Sequence, residues 1–74
     1  MSTFPSLSGK ELLKILKALG FDVIRIKGSH HFIRHSDGRS SVVPVHGKET
    51  IGAGLFHKIL KDCELSIEDI TKSK

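Results

Sequence analysis

Between Phe21 and Val45 the chain carries three segments rich in β-branched and aromatic residues, parted by two breaks too short to hold another element. Phe21-Asp22-Val23-Ile24-Arg25-Ile26-Lys27 predicts a first strand, His31-Phe32-Ile33-Arg34-His35 a second, and Ser41-Val42-Val43-Pro44-Val45 a third. Gly28-Ser29 interrupts the first two, and Ser36-Asp37-Gly38-Arg39 reads as a tight turn between the second and third. The middle of the chain is therefore expected to be a three-stranded antiparallel meander. Pro44 has no N–H to give to a ladder, so the third strand should be an edge or end near it.

Helices are expected on both sides. Ser8-Gly9-Lys10-Glu11 has the form of a capping box, in which the serine side chain accepts from the third helical N–H while Glu11 reaches back to the cap amide. Leu12, Leu13, Ile15, Leu16 and Leu19 follow at the spacing of one helical stripe, Lys10, Lys14 and Lys17 form the opposite face, and Gly20 can end the helix. From about residue 52 to 63, Leu55, Phe56, Ile59 and Leu60 predict a second helix, whose start could lie two or three residues later because Gly52 and Gly54 weaken the first turn. Ser66-Ile67-Glu68-Asp69 offers a further capping signal for one short terminal turn. The order α-β-β-β-α predicts an α+β fold with two helices on one sheet face and the other face open to water or to a partner.

With 74 residues and 8.2 kDa the chain is expected to be a single domain over residues 1–74, with a thin core and a shallow site rather than an enclosed cofactor cavity. Cys63, the one cysteine, cannot form an internal disulfide, which suits a reducing cytoplasm. No apolar run approaches the roughly 20 residues a membrane span requires, and residues 1–5 lack the basic and apolar segments of a secretion signal. Residues 1–61 hold ten basic and four acidic side chains, a net of +6, whereas residues 62–74 hold two basic and four acidic, a net of −2. A body so charged attracts polyanions, although a basic solvated surface alone would look the same.

Five histidines stand in the chain, three of them (His30, His31, His35) within six positions. The spacing of His31 and His35 would suit zinc on a helix, but on a strand they lie roughly 13 Å apart and cannot share an ion whose bonds are about 2 Å. His30 and His31 would point to opposite faces. No metal and no cofactor is expected. His30 follows the Gly28-Ser29 break, where small neighbours at the sheet margin would admit a ligand backbone. Imidazole titrates near neutral pH, so a reachable histidine there is suited to move the proton of an RNA 2′-hydroxyl or of a leaving 5′-oxygen. Arg25 and Lys27 could hold a phosphate nearby. Cys63, near the end of a helix, is better read as a buried structural thiol than as a nucleophile. Gly52-Ala53-Gly54 lacks the ending of a phosphate-binding loop, and no carboxylate pair is placed for glycoside chemistry.

The ordered set Leu19-Gly20-Phe21, Lys27-Gly28-Ser29-His30-His31, Val43-Pro44-Val45-His46 and a helix over residues 55–61 resembles the HicA toxins, also called the YcfA-like family, across about residues 8–70. The resemblance implies a double-stranded-RNA-binding-domain-like fold, ribonuclease activity on messenger RNA, growth arrest, and neutralisation by a HicB-type antitoxin. It also implies that His30 is the catalytic residue, with His46 of the Pro-x-His element a further candidate. Arg25, Lys27, Gly28, Ser29 and His46 are the expected RNA-binding residues. The alternative is a non-catalytic RNA-binding module of the same fold. Such duplex-binding modules place a basic cluster at the start of the last helix, and residues 50–55 contain neither Lys nor Arg.

Overall fold

The computed structural model describes residues 6–72, so the reading of residues 1–5 as lacking a secretion signal lies outside the described residues. The elements run α1 (Gly9–Ala18), β1 (Phe21–Lys27), β2 (His30–His35), β3 (Ser40–Pro44), α2 (Ala53–Cys63) and α3 (Ile67–Lys72). The expected α+β architecture is present, with one three-stranded antiparallel sheet in the order β1-β2-β3.

The capping box of α1 forms on both sides: the Glu11 amide donates to Ser8 Oγ at 3.2 Å, and the Ser8 amide donates to Glu11 Oε1 at 2.9 Å. Gly20 follows the C-cap Leu19 with φ +100°, a conformation in which a Cβ would be strained. The second helix starts at Ala53 without delay and is capped by Gly52 with no side-chain bond. Its leading glycines therefore weaken the first turn without moving it. The terminal turn is longer than expected, a six-residue helix held to the core by Ile70.

Strands β2 and β3 each begin one residue earlier than the pattern suggests. Lys27 pairs with His30 directly, leaving only Gly28 and Ser29 in the loop, so His30 enters the ladder. Gly28 has φ +59° at the first central position, as a type II′ turn requires, and this turn suits the twist of a two-residue hairpin. At the other end, Arg34 pairs with Ser40, while Val45 lies beyond the strand and donates its amide to Ser29.

Leu12 and Leu16 of α1, Phe21, Ile33 and Val43 of the sheet, and Phe56, Ile59 and Cys63 of α2 are buried together with Ile70. Full burial of one such aliphatic or aromatic side chain contributes about 1.5–3 kcal/mol. Helix α1 packs on β1 and β3 and α2 packs on β3. Ile33 and Val43 define the helix-covered face, and by alternation His30, Phe32, Arg34, Val42 and Pro44 stand on the other.

Candidate functional site

The β1–β2 register slips between Val23 and Arg25, leaving Ile24 without a partner as a β-bulge. Regular alternation from buried Phe21 and half-buried Val23 would have sent Arg25 and Lys27 to the helix side. After the bulge, Arg25 is opposite Phe32 and Lys27 is opposite His30, so both cations join the open face. The sequence reading missed this bulge. Its trace is the change of apolar parity, from Phe21 and Val23 to Ile24 and Ile26. Ile24 and Ile26 are 59% and 60% exposed on an edge strand, so neither supplies core.

His30 opens β2 with an exposed side chain, flanked in register by Lys27 on β1 and Pro44 on β3. The residue before it is tied down from three directions. The Ser29 carbonyl accepts the Val45 amide at 2.8 Å and the Nδ1–H of His31 at 3.2 Å, while Ser29 Oγ is hydrogen-bonded to His46 Nε2 at 3.4 Å. His46 itself is exposed in a turn closed by the Glu49 amide, which donates to the His46 carbonyl at 2.9 Å. Of the expected residues, Lys27, Gly28, Ser29, His30 and His46 thus share one corner of the sheet. Arg25 stands one open-face position farther along, its Cζ 5.8 Å from the Phe32 ring centre.

The remaining histidines each make local contacts away from the open ring of His30. His31 supports Ser29, as above. His35 packs edge-on against Phe21 with ring centres 5.1 Å apart, and its Nδ1 accepts the Asp37 amide at 3.1 Å. His57 meets Phe56 edge-on on α2, 6.0 Å between centres. Among the described residues, no three His, Cys, Asp or Glu side chains are grouped as ligands for a metal ion.

The far end of β2 is a structural junction. Arg39 Nε–H donates to Asp37 Oδ2 at 2.8 Å, while Nη1–H donates to the Cys63 carbonyl at 2.7 Å. A guanidinium on the last carbonyls of α2 satisfies an acceptor that the helix leaves unpaired and suits its negative end. The same cation holds the Asp37 carboxyl below its ordinary value. Asp62 is likewise lowered, by hydrogen bonds from Ser41 and Lys58. Burial pushes the Cys63 thiol up to about 11, which leaves it protonated and a poor nucleophile near neutral pH, in agreement with a structural role. A hollow of about 240 Å³ at this end is lined by Asp22, Ile24, Arg34, His35 and Ser36, away from His30.

Two helices on one face of a small meander, and a basic open face with a histidine at its corner, define a compact module suited to a polyanionic partner. The profile of the family described as HicA toxin of bacterial toxin-antitoxin matches residues 9–65. The chain belongs to the HicA toxin family. A search of curated proteins finds no match to it. No helix among the described residues is long and apolar enough to cross a membrane.

Proposed function

We propose that this chain acts in the cytoplasm, as a single domain, as an endoribonuclease that cleaves messenger RNA with His30 as a proton-transfer catalyst and arrests growth until a HicB-type antitoxin binds it. The observation that carries this reading is the corner itself: an exposed imidazole at the start of β2, with Lys27 paired beside it and Ser29 held by Val45, His31 and His46. A hydrogen-bonded turn below a solvent-open ring would hold the catalytic group while leaving room for a polymer backbone.

In the proposed reaction, His30 takes the proton of an RNA 2′-hydroxyl. The 2′-oxygen then attacks the adjacent phosphorus, the bond to the 5′-oxygen breaks, and that oxygen gains a proton. The products are a 2′,3′-cyclic phosphate and a 5′-hydroxyl, with no net change in protons. Lys27, paired with His30 across β1 and β2, would neutralise charge on the phosphate as it builds. His46, hydrogen-bonded at the same corner, is the candidate proton donor to the leaving oxygen.

Expression of the wild-type chain should shorten messenger-RNA lifetimes and stop growth, whereas the folded His30→Ala variant should do neither. Purified protein should continue to cleave in excess EDTA. Loss of cleavage on chelation, restored by Mg²⁺ or Zn²⁺, would replace histidine chemistry with metal-assisted hydrolysis. A chain that binds RNA without cutting it would be the non-catalytic module instead.

A further inference from the structure

The open sheet face extends beyond the His30 corner. Among the described strand residues it carries one phenyl ring, that of Phe32, two residues along β2 from His30 and on the same side of the pleat. Arg25 lies across from Phe32 on β1, Lys27 across from His30, and Arg34 two residues farther along β2. Among the described residues no carboxylate forms an ion pair with Arg25, Lys27 or Arg34; the Asp37 and Asp62 carboxylates are taken by Arg39 and Lys58 instead. Among the described strand residues of this face one is acidic, Asp22, which sits opposite Arg34 at the far end. Three unpaired cations therefore surround a single half-buried ring on a face that no helix covers.

We infer that Phe32 is a stacking platform for an unpaired base of single-stranded RNA, with Arg25, Lys27 and Arg34 holding the flanking phosphates. This inference rests on the ribonuclease reading and specifies which form of RNA the site takes. Every base has a π-face, so an aromatic side chain in a basic groove binds single strands with little regard for sequence. A base inside a duplex cannot present that face without leaving its stack, and duplex RNA is recognised through 2′-hydroxyls and shape instead. The start of α2, where a duplex-binding module would carry its cations, has none at residues 50–55. Along the strand, Phe32 and His30 are separated by about 7 Å, two residues at the usual strand rise, which is close to one nucleotide step. A base stacked on Phe32 would set the neighbouring sugar and phosphate at His30. The Arg25 guanidinium, 5.8 Å from the ring centre, is near the outer limit of cation–π contact, so it can give way to a base.

The test uses the His30→Ala chain, so that the RNA stays intact, and a single-stranded oligoribonucleotide carrying 2-aminopurine, compared with the same oligomer annealed to its complement. Single-stranded RNA should bind more tightly than the duplex, and 2-aminopurine fluorescence should be quenched on binding. Adding Phe32→Leu should abolish the quenching and weaken single-strand affinity by about 5- to 160-fold, the range of one lost base–aromatic stack. Phe32→Tyr keeps the ring and should restore both, which separates lost stacking from a disturbed sheet. Arg25→Gln should weaken binding, while Lys14→Gln, which removes equal charge from the exposed side of α1, should leave it within about twofold. Equal affinity for duplex and single strand, or unchanged quenching in Phe32→Leu, overturns the platform while leaving the ribonuclease reading intact if the wild-type chain still cleaves. A wild-type chain that neither binds nor cleaves RNA overturns both.

Discussion

Gly9, the first residue of α1, lies directly against the carbonyl oxygen of Pro44, the last residue of β3. A Cβ at Gly9 would fall on that oxygen, which belongs to backbone that cannot swing aside. Helix propensity alone makes Gly→Ala favourable by about 0.8–1 kcal/mol. Overpacking at a close backbone contact costs typically about 1–3 kcal/mol. The steric cost should win, so Gly9→Ala is expected to lower the melting temperature. Because Pro44 pairs with His30, the variant should also lower cleavage at temperatures where it remains folded. A rise in melting temperature would show that the contact between α1 and β3 has room for a methyl group.

Much of this architecture was legible because its signals are local. Ser8 and Glu11 are three residues apart and meet as the capping box requires, and β1 has the bounds that its β-branched run suggests. The strand starts were less legible, since a polar residue such as His30 or Ser40 can extend a ladder without changing the apolar pattern. Contacts between distant segments left no local trace. Arg39 reaches a carbonyl 24 residues away and Ser41 a carboxylate 21 residues away. At the candidate site, His30, Ser29 and His46 were legible as residues. The shared face of Arg25, Lys27 and Phe32 depends on the bulge at Ile24, which a fixed two-residue period conceals.

Asp62 gathers the Ser41 hydroxyl at 2.8 Å and the Lys58 ammonium at 3.1 Å, joining β3 to α2. Its carboxyl is lowered from 3.8 in the folded chain, so the unfolded chain binds the proton first. The stabilisation is therefore present above the unfolded value and is lost as pH falls through the folded one. Unfolding followed by denaturant between pH 7 and pH 2.5 should show stability declining at the acid end, below about pH 4. Asp62→Asn should be less stable at pH 7 and should lose less on acidification. An identical acid decline in both proteins would remove Asp62 as a contributor.

Cys63 is fully buried and its thiol is raised to about 11. At pH 8 the folded protein should react with a thiol-specific disulfide reagent only as fast as it unfolds, and in denaturant the reaction should be rapid. Fast labelling of the folded chain would place the thiol at the surface.

An antitoxin that inhibits by occlusion must cover His30. A standard interface takes about 800 Å² from each partner, a large share of one face of so small a chain. Electrostatic complementarity favours an acidic surface against the Arg25 and Lys27 side of the sheet. The His30 ring should lose solvent access, read by histidine-selective modification, when the complex forms. If cleavage is suppressed while His30 is modified as readily as in the free chain, inhibition operates from another surface.

Proton transfer by His30 in RNA cleavage can be measured by single-turnover cleavage of a single-stranded RNA with the purified wild-type and His30→Ala proteins. Both should give the same far-ultraviolet circular dichroism. The variant should cleave about 10² to 10⁴ times more slowly, the loss typical of a positioned general acid or base. Cleavage by folded His30→Ala at the wild-type rate would contradict the assignment.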